Sequence, residues 1–255
     1  MARWQLCKDG GSHALSPTLT AKLTHETISH IAEADWITAS DTSAPFLQLP
    51  LLSSKITVVD YAHTAFGKPV PLPVFTDDEG TPAVDVTLIN KGLTTGILTN
   101  KKTAAALGLG LTGNANGGMV RARNTALLPG SDTPEAIIAS IQDGYYLVDS
   151  ILDIGDAFVG DFASQICEGY RIRNGVICEP LPPCVIYGTA SEFWQSVSMV
   201  GNDFAWITDD CTKNGKKIMV AAGAPTIKCN LWLKEITEPI RSNPLHNIRR
   251  TLAKR

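Results

Sequence analysis

The chain has 255 residues, of which 44% are hydrophobic and 18% are charged, and its formal net charge is −3. A chain of this size can bury a substantial core in one large or two small domains. The slightly acidic balance argues against nucleic acid or an anionic membrane as the main partner, because both attract strongly basic surfaces. No run approaches the roughly eighteen apolar residues of a membrane span, and no apolar signal segment follows Arg3, which predicts a cytoplasmic protein with no membrane partner.

A helix near the N-terminus is the first predicted element. Residues 1–17 are mostly polar and are expected to form an N-terminal extension. A helix is then predicted from about Thr18 to Ala34, with Thr18 or Thr20 as its cap. The folded domain is expected to occupy residues 18–240. Residues 241–255 hold five basic and no acidic side chains, which is typical of a solvated tail and less often of a docking segment.

Strand patterns dominate the rest of the chain. β-branched runs broken by turn residues predict a hairpin or meander, and Asn174-Gly175 predicts a second hairpin because this dipeptide suits the tight turn between antiparallel strands. Helices are expected where a cap and a proline precede helical periodicity, as at Thr133-Pro134. The predicted strands are 56–60, 83–89, 95–98, 168–173, 176–178 and 226–233, and the predicted helices are 101–107, 134–143 and 190–200. This mixture predicts an α+β, strand-rich single domain.

The segment His25-Glu26-Thr27-Ile28-Ser29-His30 places two imidazoles and a carboxylate in one helical stretch, the residue types of a zinc hydrolase site. Histidines four residues apart lie about 40° apart around a helix and can hold one ion. Here they are five apart, which separates them by about 140° in a regular α-helix. Chelation by both therefore requires a π-bulge, so the motif predicts a distorted, zinc-binding helix. The alternative is an amphipathic helix whose polar side chains face solvent.

The cysteines are scattered along the chain without a Cys-x-x-Cys pair, which fits reduced thiols better than a disulfide framework. Most are expected to be small buried side chains, and one is available as a metal ligand. They are Cys7, Cys167, Cys178, Cys184, Cys211 and Cys229.

One glycine-rich segment resembles a dinucleotide fingerprint. Residues 108–113 fit G-x-G-x-x-G, but they follow a helical pattern and lead into another glycine-containing loop. A dinucleotide site needs a strand before the glycines and a helix after them. We therefore expect this segment to line a peptide cleft instead.

From Thr24 onward the chain resembles the TldD/TldE (PmbA) modulators of gyrase, whose TldD-type members are zinc metallopeptidases. TldD-like proteins carry the signature H-E-A-x-G-H-x-x-E-x-D. The residues at its fixed positions here are His25, Glu26, His30, Glu33 and Asp35. Further landmarks follow in the family's order at 58–60, 77–82, 88–92, 112–114, 124, 129–130, 160–162, 168–170 and 198–203. Several landmarks in one order are far more specific than a single hexapeptide.

The resemblance implies a third metal ligand. TldD-type members have a cysteine shortly after a Val-Gly-Asn-Asp block, which is residues 200–203 in this chain. The implied zinc ligands are His25, His30 and Cys211. Two imidazoles and a thiolate suit zinc and leave a fourth position for water. His63, Glu33 and Asp35 are rival ligands by residue type, although a lone histidine is more often a surface residue. Glu33 is better suited to orient a ligating imidazole than to bind the metal itself.

The resemblance also assigns roles around the metal. It makes residues 18–240 a catalytic domain in which Glu26 is the general base. Gly113 and Asn114 are then candidates for substrate binding. Where the family reads Gly-Asn-x-Arg-Arg, this chain continues Ala115-Asn116-Gly117 and lacks the paired arginines. If those arginines bind substrate in the family, the substrate class is altered here. Ser29 and Ala32 also depart from the family pattern and change the wall of the site.

The predicted function is zinc-dependent hydrolysis of a peptide or peptide-like amide that lies extended along a strand edge. It serves either general peptide turnover or the processing of one biosynthetic intermediate. The alternative is a non-catalytic, TldE-like subunit of a heterodimeric peptidase. Full-length family members are about twice as long, with an N-terminal half that helps to enclose the cleft. We therefore expect this chain to expose apolar surface and to form a homodimer, or a heterodimer with a TldE-like subunit.

Overall fold

The computed structural model describes residues 11–39, 51–152 and 161–236. Cys7 and the predicted tail 241–255 lie outside these residues. The helices are α1 Pro17–Thr24, α2 Ala34–Ala39, α3 Lys101–Leu107, α4 Pro134–Ala139 and α5 Ala190–Gln195, and a π-helical turn His25–Ser29 and a 3-10 turn His30–Ala32 connect α1 to α2. No described helix has the length and apolar character needed to cross a bilayer.

The strands of the described residues form two large sheets and two small hairpins. They are β1 Ser12–Leu15, β2 Val58–Tyr61, β3 Thr64–Ala65, β4 Lys68–Pro69, β5 Val86–Asn90, β6 Leu93–Thr94, β7 Ala115–Asn116, β8 Met119–Val120, β9 Asn124–Leu127, β10 Asp143–Leu152, β11 Asp161–Arg173, β12 Val176–Pro180, β13 Cys184–Thr189, β14 Met199–Val200, β15 Ala205–Lys213, β16 Lys216–Ala224, β17 Ile227–Asn230 and β18 Trp232–Glu235. The larger sheet has the order β14-β17-β1-β10-β11-β13-β18, with β12 paired to β11, and the smaller has the order β15-β16-β9-β2-β5-β6. The strand-rich α+β prediction is confirmed.

Helix α1 packs between the two sheets. Its Leu19 and Leu23, and Ile28 in the π-helical turn, are fully buried. They belong to one apolar cluster that also contains Leu147 of β10 in the larger sheet and Ala222 of β16 in the smaller sheet. This cluster is shared by both sheets and holds the helical segment in a fixed position, which is a requirement for a site built on it.

The residues expected to form an N-terminal extension contribute to the domain from Ser12 onward. Strand β1 pairs antiparallel with β17 and parallel with β10, so it lies inside the larger sheet. Ala14 and Leu15 are fully buried there. The boundary at residue 17 is therefore not a structural one. A four-residue strand is too short to show a strand period, and its partners lie far away in the chain.

Several predicted elements are confirmed, with shifted ends. The Asn174-Gly175 turn joins β11 to β12 with positive φ at both residues (49° and 76°), as a type I′ turn requires. The helices predicted at 134–143 and 190–200 stop at Ala139 and Gln195. The final strand divides at Leu231 into β17 and β18, which lie at different positions in the larger sheet.

The strand predicted at 95–98 is wrong. Pairing with β5 ends at Thr94, and the amide groups of Thr95 and Gly96 both donate to the Leu88 carbonyl. Gly96 passes so close to β5 that a Cβ there would lie 2.3 Å from the Thr87 carbonyl oxygen. The chain then leaves the sheet, and Leu98 forms an isolated bridge with Glu33 beside the helical segment. β-branched composition alone does not distinguish this path from a strand.

Candidate metal centre

The helical segment changes from an α-helix to a π-helix where the sequence predicts it. The backbone amide of His30 donates to the carbonyl of His25, five residues earlier. This wider turn cancels the angular separation that an α-helix imposes on residues five apart. The two imidazole rings consequently meet edge to face, with their centroids 4.6 Å apart. The predicted distortion of the helix is confirmed.

Strand β15 brings a thiol to these rings. The Cys211 sulfur lies 3.2 Å from His30 Nε2, and the potential ligand atoms of the two histidines and the cysteine all lie within 4.8 Å of one another. Each of these residues is no more than 9% exposed. Ligands around a tetrahedral zinc ion are about 3.5 Å apart, given bonds of about 2.0 Å to nitrogen and 2.3 Å to sulfur. The arrangement therefore fits zinc after a small inward movement of the side chains.

The protonation state of His25 also fits a metal ligand. The Ser29 hydroxyl donates to the His25 carbonyl, and its oxygen lies 3.1 Å from His25 Nδ1. Since a hydroxyl has one proton, the oxygen accepts from Nδ1–H, which leaves Nε2 with a free lone pair. Nε2 is buried and has no hydrogen-bond partner among the described residues. Burial lowers the pKa of His25 to about 3, so the ring is neutral at pH 7.

Glu26 lies at the edge of this cluster. One of its carboxylate oxygens is 3.6 Å from His30 Nε2, and the side chain is 27% exposed. Burial, together with nearby Glu33 and Asp209, raises its pKa, while His30 opposes the change. With His25 and the β15 residues Ile207 and Asp209, Glu26 lines a small surface depression. The Glu26 carboxylate, with its raised pKa, therefore lies in this depression beside His25.

Glu33 and Asp35 lie behind the cluster. One Glu33 oxygen is 3.5 Å from His30 Nδ1 and the other is 2.6 Å from Lys213 Nζ. Burial raises the pKa of Glu33, but His30 and Lys213 outweigh this effect and lower it to about 2, so Glu33 is ionised. Asp35 accepts from the Val120 amide and from Lys213. Neither carboxylate belongs to the ligand cluster.

The third rival ligand, His63, is placed elsewhere. Its ring stacks on Phe75 with the centroids 5.0 Å apart, and its Nδ1 lies 3.0 Å from the Thr64 hydroxyl. It is not part of the metal-binding group found among the described residues.

Gly113 and Asn114 hold a loop in place. Asn114 donates from its amide to Asp60 at 3.0 Å and to the Arg121 carbonyl at 2.9 Å. Gly113 has φ of 69°, and a Cβ there would lie 2.6 Å from the Ala83 Cα. Both residues line a cavity of about 510 Å³ that Ile218 of β16 also borders. The next described element after residue 113 is β7, so no helix begins in this loop.

Sequence reasoning missed two buried cations near the cluster. Arg121 is 1% exposed and donates to the main-chain oxygen of Cys211 at 2.9 Å. Lys213 contacts both Glu33 and Asp35. A signal existed for Lys213, since side chains two residues apart on a strand point to the same face and Lys213 follows Cys211 by two. For Arg121 we find no such signal.

Known proteins are similar in sequence to this chain over most of its length. The family model described as PmbA/TldA metallopeptidase C-terminal domain matches residues 13–232. The chain belongs to the TldD/PmbA family. It is 32% identical over 220 residues to a zinc metalloprotease TldD homolog of Saccharolobus solfataricus, covering 84% of this chain and 49% of that protein. It is also 32% identical over 219 residues to a metalloprotease of Methanothermobacter thermautotrophicus, covering 83% and 47%.

The fold has solved relatives. TldE from Thermococcus kodakarensis superposes with a TM-score of 0.71 at 20% identity, covering 92% of this chain and 51% of that one. This likeness supports the fold of the TldD/PmbA member described here. The chain spans about half the length of the curated relatives it matches.

Proposed function

We propose that this TldD/PmbA member hydrolyses a peptide or peptide-like amide with one zinc ion held by His25, His30 and Cys211. The observation that carries the proposal is the buried, unpartnered Nε2 of His25 beside an imidazole and a thiol, next to a partly exposed Glu26. The names of the relatives as metalloproteases support it. A non-catalytic, TldE-like role is disfavoured because this ligand set and a neighbouring carboxylate would then have no use.

Each residue has a distinct chemical role. Zinc, when bound, supplies Lewis acidity that promotes water ionisation and polarises the scissile carbonyl. Glu26 accepts the proton of the attacking water and returns it to the departing amine nitrogen. Its raised pKa and its exposed edge suit both transfers. Glu33 orients His30 from the side opposite the cluster.

The substrate is proposed to lie along β15. This strand ends the smaller sheet among the described residues, so it offers an edge for an added extended chain. Main-chain hydrogen bonds along such an edge bind peptides with little sequence selectivity. The edge runs past Asp209 to Cys211, so a peptide bound along it would have an amide beside the cluster. Gly113 and Asn114 are proposed to shape the neighbouring cavity that receives side chains.

A peptide-library digest tests the proposal. The zinc-loaded protein, alone and with a TldE-like chain added, is incubated with the library, and the products are identified by mass spectrometry. We expect cleavage that a chelator abolishes and added zinc restores. Broad cleavage indicates general peptide turnover, whereas cleavage of a few sequences indicates a dedicated processing enzyme. No cleavage under either condition would contradict a peptidase function.

Assembly is a second part of the proposal. Large apolar side chains are exposed around the smaller sheet, including Phe66 (52%), Phe75 (69%) and Met219 (61%). Exposed apolar surface of this kind favours a covering partner, which we propose is a second copy or a longer TldE-like chain. We place the complex in the cytoplasm, where reducing conditions keep a free cysteine available as a metal ligand.

Light scattering at micromolar concentration is expected to show a dimer, either of the chain alone or after addition of the TldE-like chain. Activity should increase with the dimer fraction if the partner completes the cleft. A monomer that is fully active with no partner added would refute this part of the proposal while leaving the zinc chemistry intact.

A further inference from the structure

We propose that Lys213 is a positioning residue of the metal centre, which acts through Glu33 on His30 and through β15 on Cys211. The inference rests on the proposed function, because it concerns how the same ligands are held. Lys213 belongs to neither the predicted ligand set nor the predicted base.

The contacts of Lys213 join three parts of the site. Its Nζ lies 2.6 Å from Glu33 Oε2, 2.6 Å from Asp35 Oδ1 and 3.0 Å from the Val120 carbonyl oxygen. The Lys213 side chain is 3% exposed and that of Glu33 is 0% exposed. Trp36 adds a ring 4.9 Å from the ammonium group. Every proton of the ammonium group therefore has an acceptor.

Because these charges are buried, they must stay in close contact with one another. Removing an ammonium group and a carboxylate from water is unfavourable for both groups, and only close, hydrogen-bonded pairing compensates. Glu33 also accepts from the Ala122 amide at 2.9 Å, so both of its oxygens are fixed. A carboxylate fixed in this way presents Oε1 to His30 Nδ1, 3.5 Å away. The other ring nitrogen, Nε2, is then directed toward Cys211.

Lys213 also connects the two elements that carry the ligands. Cys211 and Lys213 are two residues apart on β15 and are both buried, so they point to the same side of the strand. His30 and Glu33 are three residues apart at the end of the helical segment. The Lys213–Glu33 ion pair therefore runs beside the His30–Cys211 contact and joins the same two elements. This pairing fixes the distance between the thiol and the imidazole.

The test is a double-mutant cycle of Lys213→Met and Glu33→Gln, read out as zinc affinity by competition with a chelator. We expect each single variant to bind zinc about 10- to 100-fold more weakly, the usual effect of losing support behind a metal ligand. The double variant should be no weaker than the worse single variant, because both act through one contact. Lys213→Arg, which keeps the charge, should recover part of the affinity.

Lys217→Met is the matched control. Lys217 lies on β16 and pairs with Asp210 at 2.6 Å, but its side chain is 62% exposed. The Lys217→Met variant should have the zinc affinity of the wild type within about twofold, because ion pairs between exposed side chains contribute little to stability. Cobalt loading adds a second readout, since a displaced ligand alters the thiolate-to-cobalt absorption. Denaturation of the metal-free proteins separates a loss of stability from a loss of affinity.

The outcomes are distinguishable. Zinc affinity that Lys213→Met leaves unchanged, even with reduced stability, would overturn the inference and make the ion pair purely structural. Additive losses in the double variant would also overturn it. If Lys213→Met does not fold, Lys213→Gln and Lys213→Arg carry the same comparison. A wild-type protein that binds neither zinc nor cobalt would overturn the proposed function as well.

Discussion

Glu26→Gln is expected to retain zinc and to lose at least about a hundredfold in turnover, the usual scale of general-base catalysis. The amide keeps the size of the side chain but cannot accept the proton of the attacking water. Glu26 is not among the three clustered ligand residues, so metal content should remain about one zinc per chain. Peptide hydrolysis and metal analysis on the same preparation measure both quantities.

The control for this substitution is Glu135→Gln. Glu135 is exposed in the first turn of α4 and makes no contribution to the proposed site. It should leave turnover unchanged. If Glu26→Gln hydrolyses peptides as fast as the wild type, Glu26 has a structural role and the proposed mechanism is wrong. If it loses zinc as well as turnover, Glu26 is a ligand and the fourth position is not open.

Cys211→Ala is expected to abolish stoichiometric zinc binding and, with it, hydrolysis. It removes the anionic ligand and leaves two imidazoles, whereas catalytic zinc sites use three protein ligands. Cys211 is 5% exposed and small, so its replacement by alanine should disturb packing little. Metal analysis after gel filtration measures the zinc content of the folded variant.

Cys229→Ala provides the matched comparison. Cys229 is also buried, but it lies on β17 in the larger sheet, and burial raises its thiol pKa so that it stays protonated. This variant should keep its zinc. Unchanged zinc in Cys211→Ala, or a wild-type protein without zinc, would refute the ligand assignment.

The local features of the site follow from the sequence because they depend on neighbours within one turn. The five-residue spacing of His25 and His30 requires a π-turn for convergence, and the structure has that turn. Helix α3 is confirmed from end to end, with Asn100 as its cap and Gly108 in the left-handed conformation at its end. The Asn174-Gly175 hairpin is likewise determined by the backbone preferences of two residues.

Cys211 could not be identified as a ligand from local sequence features. Nothing in the spacing of six scattered cysteines selects it, and only the family resemblance proposed it as a ligand. The structure brings it to His30 across 181 positions of sequence through the pairing of β15 with β16 and the packing of α1 against both strands. Such a contact depends on how the sheets close around α1, which no local pattern encodes.

The sequence by itself determined the chemistry that is available: two imidazoles on a distorted helix, an adjacent carboxylate and a strand-rich chain able to enclose them. The tertiary structure alone decided which thiol meets them, that Lys213 joins Glu33 to Asp35, and that Ser12–Leu15 lies inside the larger sheet. The physical reason is the range of the interactions. Caps, turns and helical spacing act over a few residues, whereas burial and ion pairing join groups that are distant along the chain and take effect only when the core has formed.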